Sequence, residues 1–146
     1  MKRLDYIAIA PQAMEILMTM EGYFKARFDT GESLSMASWE LVKLRVSQIN
    51  QCAFCIDMHS REAQAMGESQ ARLLGLSAWR DMACYTQQER IALGWAEHQL
   101  GDAPISDAEY RVALEGLGEQ ALVDLTLAVN AINSWNRVCR AFKPEF

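Results

Sequence analysis

Two cysteines and a histidine lie close together in the segment 50–60, which reads NQCAFCIDMHS. Cys52 and Cys55 are three residues apart, and His59 follows Cys55 by four. Two thiols and an imidazole at these spacings can bind a metal ion, close a structural disulfide or perform thiol redox chemistry. The choice among the three depends on the element that carries these residues and on what surrounds it.

The spacing places all three side chains on one face if the segment is helical. With about 100° of rotation per residue, Cys52, Cys55 and His59 fall within one sector that is expected to be buried. Residues three apart on a helix have Cα atoms about 5 Å apart, which is within the range of a disulfide. Cys55 and His59 are close enough to exchange a proton. Cys52 lies at the predicted helix N-terminus, where free N–H groups favour a thiolate.

Every long segment of the chain shows a helical period, and no run alternates with period two between hairpin turns. Thr86 and Ser106 each begin a capping box, with Glu89 and Glu109 three residues later. The predicted helices are 11–28, 35–49, 52–67, a short segment at 69–74, 86–101, 106–116 and 119–142. We therefore predict an all-α fold in a single domain, 1–146, with the CxxC region and its neighbours at about 35–100 as its core. In thioredoxin-like proteins the CxxC motif follows a β-strand. Because this motif lies between two predicted helices, a thioredoxin-like site is excluded.

The composition is typical of a globular protein and excludes some partners. Of 146 residues, 51% are hydrophobic and 23% are charged, with 14 basic and 19 acidic side chains. No basic run could follow a phosphate backbone, so nucleic acid is not expected as a partner. The N-terminal apolar run is too short for a signal peptide, and no segment approaches a membrane span. We therefore expect a cytoplasmic protein, in which a CxxC pair is more often catalytic or metal-binding than structural.

Glu40 is the carboxylate best placed to serve these thiols. It lies twelve residues before Cys52, on the predicted helix 35–49, which must fold back on the helix that begins near Cys52. Met36 and Leu44 flank Glu40 on its own side of that helix. We therefore predict a buried carboxyl group that can accept and donate protons near the sulfurs.

The pattern Glu40, eleven residues, Cys52-x-x-Cys55-x-x-x-His59 resembles the alkylhydroperoxidase AhpD-like family, within the carboxymuconolactone decarboxylase superfamily. The segments ELVKLRVSQINQCAFCIDMHS, ERIALGWAEH and AINSWNR extend the resemblance over nearly the whole chain. The resemblance implies an all-α, homo-oligomeric protein, a trimer or a hexamer, that acts as a thiol-dependent peroxidase without haem, metal or other cofactor.

The resemblance also implies a role for each residue. Cys55 attacks the hydroperoxide and becomes a sulfenic acid, Cys52 resolves it to a disulfide, and Glu40 and His59 relay protons. A dithiol, such as dihydrolipoamide or a thioredoxin-like protein, then reduces the bridge. Reasoning from the residues alone leaves open which cysteine attacks, because the helix terminus favours Cys52.

One position departs from the family pattern. Some members carry a histidine immediately before the second cysteine as part of the relay, whereas this chain has Phe54. We expect Phe54 at this position to affect the rate of peroxide reduction or the choice of peroxide substrate. On the helical wheel Phe54 points away from the face of the two thiols, toward another helix or a subunit. Superfamily members that work as decarboxylases lack the cysteine pair, which argues against that chemistry here.

Two alternatives remain for the same residues. Zinc could be bound by the two thiolates with His59 and Glu40, which would make the protein a non-catalytic zinc-binding or assembly protein on the same scaffold. The cysteines could also be a buried structural pair. Cys84 and Cys139 have no histidine at helical spacing, and we expect them to pack as small apolar residues.

Overall fold

The computed structural model describes residues 1–31 and 34–145, and every regular element within these ranges is helical. The prediction of an all-α fold is therefore confirmed for the described part of the chain. The elements in chain order are α1 (Tyr6–Ile9), α2 (Pro11–Asp29), α3 (Met36–Ile49), α4 (Ala53–Ala65), α5 (Gln70–Gly75), a 3₁₀ segment (Leu76–Asp81), α6 (Gln87–Leu100), α7 (Asp107–Leu117) and α8 (Glu119–Phe142).

The seven predicted helices all form, and two short elements were missed. Both predicted capping boxes are present, at Thr86 and at Ser106. The missed α1 has only four residues, held by the Asp5 side chain, and is too short to show a period. The other is the 3₁₀ segment at 76–81, which contains a kink at Ala78. None of the helices in the described ranges is both long and apolar enough to cross a membrane.

Helix α3 lies at the centre of the bundle. It packs against α4, α6 and α8 and, at its N-terminal end, against α2. Trp39 on α3 is 1% exposed, and its ring meets those of Phe24 and Phe28 on α2 at centroid distances of 6.3 and 5.4 Å. Because α3 is covered on several sides, even its polar residues Glu40, Lys43 and Ser47 are buried. A charged group on this helix is therefore held away from water and needs a partner.

A tight connection turns the chain from α3 into α4. The amide of Gln51 donates to the carbonyl of Gln48, and the amide of Cys52 donates to that of Ser47, which is the Schellman arrangement. Gln51 takes the left-handed conformation, with φ of 55°, where glycine is the usual residue. The turn makes Cys52 the N-cap of α4, so the first sulfur sits directly at the helix terminus.

A buried amide network ties this connection to α8. The Asn50 side chain donates to Asn133 Oδ1 at 2.9 Å and to Asn136 Oδ1 at 3.0 Å. Asn136, which is fully buried, donates in turn to Ser47 Oγ at 3.0 Å. Asn136 is the residue at the centre of this contact, since it bonds both Asn50 and Ser47. The network fixes the start of α4 against α8.

Candidate active site

The two cysteines of the CxxC motif are joined in a disulfide at the start of α4. Their Cα atoms are 5.3 Å apart, in agreement with the distance that the helical spacing predicts. Both residues are 1% exposed. Cys52 Sγ also accepts a hydrogen bond from the Cys55 amide at 3.4 Å, as the side chain of an N-cap does. The pair is thus a shielded dithiol or disulfide whose first sulfur faces the free amides of a helix.

A buried charged group lies beside the sulfurs. Glu40 is fully buried, and its Oε1 is 2.5 Å from His59 Nδ1, while its Oε2 is 2.7 Å from Lys43 Nζ. The carboxylate that the sequence predicted is therefore buried and lies between a histidine and a lysine. His59 Nδ1 is also 3.3 Å from Glu62 Oε2, one turn further along α4. Two carboxylates thus face the same imidazole nitrogen.

The carboxylates keep the imidazole basic. Burial lowers the pKa of His59, but the hydrogen bonds to Glu40 and Glu62 outweigh it, and the resulting pKa lies above the usual value. The same contact, opposed by burial, lowers the pKa of the Glu62 carboxyl to about 2. His59 is therefore stabilised as an imidazolium that can supply a proton.

We expect Glu62→Gln to lower the pKa of His59, because one of the two carboxylates that stabilise the imidazolium is lost. An NMR titration of the imidazole resonances will measure the shift. The matched control is Glu115→Gln, which neutralises an exposed carboxylate on α7 and leaves the His59 titration unchanged. A His59 titration that is equal in parent and Glu62→Gln would show that Glu62 does not act on the imidazole.

The stability that Glu62→Gln removes is expected to depend on pH. The raised pKa of His59 stabilises the fold fully below its ordinary value of 6.5, and this contribution is lost as pH rises through the folded value. The lowered pKa of Glu62 stabilises it above 4.5, and this is lost as pH falls toward 2. The loss on Glu62→Gln is therefore largest between pH 4.5 and 6.5. Because Glu62 is half exposed, it amounts to less than about 1 kcal/mol in denaturant titrations.

The second imidazole nitrogen is left for a reactant. His59 Nε2 is buried and has no hydrogen-bond partner among the described residues. His59 and Cys55 both line a cavity of about 310 Å³, whereas Cys52 does not line it. A molecule in this cavity therefore meets Cys55 and the imidazole, but not the other sulfur.

The walls of the cavity are largely apolar. Its apolar side chains come from α2, α4 and α8, and four of its polar side chains are the ionisable groups Glu21, Lys43, His59 and Glu62. The lining residues are Tyr6, Met18, Glu21, Lys43, Phe54, Cys55, Met58, His59, Glu62, Ile132, Trp135 and Cys139. A pocket of this size and polarity suits a small organic molecule with one polar end.

Phe54 does not point away from the site, as the helical wheel had predicted. It is half buried, packs against the cluster that the two cysteines form with Cys139, and lines the cavity. The predicted direction was wrong because it assumed that α4 is covered on one side, whereas α8 also packs against α4. The predicted contact with another helix is present, since the cluster that Phe54 meets includes Cys139 on α8. The aromatic ring thus occupies the site as an apolar wall.

Sequence reasoning missed four polar residues of this region. Lys43 and Glu62 stand three residues from Glu40 and His59, so helical spacing alone could have pointed to them. Glu21 and Cys139 come from α2 and α8, and no local signal joins them to the motif. Burial raises the pKa of Glu21, whose Oε1 has no hydrogen-bond partner among the described residues.

The possible metal ligands fall into two groups rather than the one set that zinc would require. In the described part of the chain, the sulfurs of Cys52, Cys55 and Cys139 lie within 4.8 Å of one another, and so do ligand atoms of Glu40, His59 and Glu62. The four ligands of the zinc hypothesis are divided between these groups. Cys52 and Cys55 are also bonded to each other, so they are not available as thiolates in this state.

Comparison with known proteins identifies the family. A model of the carboxymuconolactone decarboxylase family matches residues 11–98, which is more than half of the chain. The chain belongs to this family. The uncharacterized protein YdfG of Bacillus subtilis is 42% identical to this member over 139 residues, which cover 94% of the chain and 91% of YdfG. The uncharacterized protein YnjA of Escherichia coli is 32% identical over 94 residues, 64% of the chain and 52% of YnjA.

A solved structure shares the fold of this carboxymuconolactone decarboxylase family member. It is a protein of unknown function from Agrobacterium tumefaciens that has been suggested to be the antioxidant defence protein AhpD. The two structures align with a TM-score of 0.88 at 32% sequence identity, over 99% of this chain and 97% of that one. The AhpD-like resemblance noted in the sequence is confirmed at the level of family and fold.

Proposed function

We propose that this protein is a thiol-dependent peroxidase that reduces organic hydroperoxides with its CxxC pair. The observation that carries the proposal is a disulfide whose Cys55 sulfur lines an apolar cavity together with a carboxylate-bound imidazole. Membership of a family with an AhpD-like structural neighbour supports a redox role. The apolar walls favour an organic hydroperoxide over hydrogen peroxide.

Cys55 is the sulfur that attacks in this proposal. Its thiolate takes the terminal oxygen of the hydroperoxide, the O–O bond breaks, and the alkoxide leaves with a proton. Access supports Cys55, since it lines the cavity and Cys52 does not. Cys52 Sγ instead accepts a hydrogen bond from the Cys55 amide at the helix terminus. Its thiolate is therefore stabilised as the sulfur that closes and later leaves the disulfide.

His59 supplies the proton to the leaving alkoxide, and Glu40 holds the imidazole for this task. Nδ1 is fixed by the carboxylate at 2.5 Å, so Nε2 is the nitrogen directed to the reaction. Lys43 Nζ forms an ion pair with the second oxygen of Glu40, Oε2, at 2.7 Å. Glu40 is thus a positioning residue, acting through the imidazole.

The cycle closes with two further steps. Cys52 thiol attacks the Cys55 sulfenic acid, which releases water and forms the disulfide. A dithiol, of the lipoyl or thioredoxin-like class, then exchanges with the bridge and leaves as its own disulfide. Each turnover thus consumes one hydroperoxide and one dithiol, and yields one alcohol, one water and one oxidised reductant.

We also propose that the protein works as a homo-oligomer, a trimer or a hexamer. Exposed apolar side chains on α2 and α8 support this, including Ile16 at 65%, Val123 at 55% and Leu127 at 43% exposure. Val123 and Leu127 are four apart and share one face of α8. Sedimentation equilibrium of the purified protein measures the assembly directly.

Adding one equivalent of cumene hydroperoxide to the reduced protein tests the peroxidase. We expect two of the four thiols to disappear, with a mass loss of two hydrogens and a peptide that links Cys52 to Cys55. Cys84, which is exposed and is not one of the three neighbouring sulfurs, stays alkylatable. With excess hydroperoxide, reduced lipoamide is expected to sustain turnover. Four thiols that persist while the hydroperoxide remains unconsumed would overturn the proposal.

A further inference from the structure

A third sulfur lies next to the disulfide. Cys139 comes from α8, carries a free thiol, and its Sγ lies within 4.8 Å of the sulfurs of both Cys52 and Cys55. It is 6% exposed and also lines the cavity. We had expected Cys139 to pack as a small apolar residue, and the long stretch of chain between it and the motif gave no reason to connect them.

The position of Cys139 is fixed by its surroundings. Asn136, one turn earlier on α8, is hydrogen-bonded to Asn50 in the connection that leads to Cys52. Phe54 packs against the cluster that the three cysteines form. The hydroxyl of Tyr6, from the N-terminal turn, lies 4.0 Å from Cys139 Sγ. These contacts hold the third thiol against the pair from several sides, so its proximity follows from the architecture of the bundle.

We propose that Cys139 is a third redox-active thiol, which exchanges with the Cys52–Cys55 disulfide to form a Cys55–Cys139 disulfide. The oxidised protein then exists as two isomers that share Cys55. Cys55 is the sulfur that can pair with either partner because it lines the cavity beside Cys139, whereas Cys52 is engaged at the helix terminus. The exchange requires neither a peroxide nor an external reductant, so it extends beyond the peroxidase cycle and does not rest on it.

The exchange balances in atoms and electrons. The Cys139 thiolate attacks Cys55 Sγ, the Cys52–Cys55 bond breaks, and Cys52 leaves as a thiolate that takes up the proton Cys139 has lost. The leaving Cys52 thiolate is stabilised where it forms, because Cys52 Sγ accepts a hydrogen bond from the Cys55 amide at 3.4 Å at the start of α4. The distance between Cys139 Sγ and Cys55 Sγ must shorten by less than about 3 Å. Rotation about the side-chain torsions can provide this movement.

The protonation state of Cys139 governs the rate of the exchange. Burial raises the pKa of the Cys139 thiol, against the opposing hydrogen bond from Tyr6. The exchange therefore proceeds through the small fraction of Cys139 that is ionised at neutral pH, and its rate should rise with pH. It begins only after the pair has been oxidised, because it needs the Cys52–Cys55 bond. It gives the oxidised sulfur a second partner and returns Cys52 to the thiol form.

A variant that retains only Cys55 and Cys139, Cys52→Ser/Cys84→Ser, tests the pairing. Its matched control is Cys52→Ser/Cys139→Ser, which retains Cys55 and the exposed Cys84. With diamide as the oxidant, we expect the first variant to lose both thiols at least about tenfold faster, because its two sulfurs are held together within one chain. In its product no disulfide joins two chains, each chain is lighter by two hydrogens, and digestion gives a Cys55–Cys139 peptide. Thiols that remain free, or cross-links only between chains, would overturn the proposal.

A second measurement keeps the natural cluster intact and covers the case in which that variant fails to fold. Oxidised Cys84→Ser protein is quenched in acid, alkylated and digested, so that the free thiol of each isomer is labelled. We expect a fraction of chains with label on Cys52 and a Cys55–Cys139 link. Label on Cys139 alone in all chains would overturn the exchange. Because neither experiment uses a hydroperoxide, a failed peroxidase assay and a failed exchange are distinguishable.

Discussion

Cys55→Ser is expected to lower the rate of hydroperoxide consumption at least about a thousandfold, as the loss of a nucleophile does in other enzymes. Cys55 lines the cavity beside His59, and a serine hydroxyl in its place is almost wholly protonated at neutral pH. Stopped-flow mixing of the reduced protein with cumene hydroperoxide measures the first turnover, independently of the reductant. The cavity wall and the fold are retained, because the change exchanges only sulfur for oxygen.

Cys52→Ser separates attack from resolution. We expect this variant to consume one equivalent of hydroperoxide at close to the parent rate in a single turnover. Turnover with reduced lipoamide then slows, because the usual partner of the oxidised Cys55 is gone. Cys84→Ser is the matched control and changes neither phase, since that thiol is exposed and is not one of the three neighbouring sulfurs. If Cys52→Ser abolishes the first turnover and Cys55→Ser preserves it, the two cysteines have the opposite roles.

Local signals in the sequence sufficed for the helices and for part of the site. Capping at Ser35, Ser69, Thr86 and Ser106 marks helix starts because each side chain accepts a hydrogen bond from an amide within its own first turn. The position of Glu40 against His59 could be inferred from a fold-back of two adjacent helices. In each of these cases the interacting residues are close in sequence or lie on neighbouring helices.

The remainder of the site depends on packing between distant helices. Cys139 reaches the disulfide because α8 packs against α4 and the Asn50–Asn136 contact joins α8 to the start of α4. Phe54 was misplaced because a helical wheel treats a helix as having a single buried face, and α4 has more than one. Glu21 enters the cavity from α2, which no spacing rule connects to the motif. Such residues follow from the arrangement of helices in space, which periodicity does not specify.

Glu40→Gln is expected to destabilise the fold by about 3–5 kcal/mol, because the buried Lys43 and the His59 imidazolium lose their counter-charge. The pKa of His59 then falls, because burial lowers it and only the Glu62 carboxylate still opposes burial. The raised pKa of His59 in the parent stabilises the fold below pH 6.5, and this contribution is lost as pH rises through the folded value. The stability gap between parent and variant, measured in denaturant titrations, should therefore narrow as pH rises.

Adding Lys43→Met to Glu40→Gln separates the fold from the chemistry. The double variant removes the unpaired buried ammonium and places an apolar side chain of similar length at the same position, so most of the lost stability should return. The first turnover of hydroperoxide should nevertheless stay about a hundredfold slow or slower, because the imidazole still lacks the carboxylate that fixes its tautomer and keeps it protonated. Its pH profile should move to lower pH along with the His59 titration. If the double variant regains both stability and rate, Glu40 only fills and neutralises the core, and the proton relay must run through Glu62 or Glu21 instead.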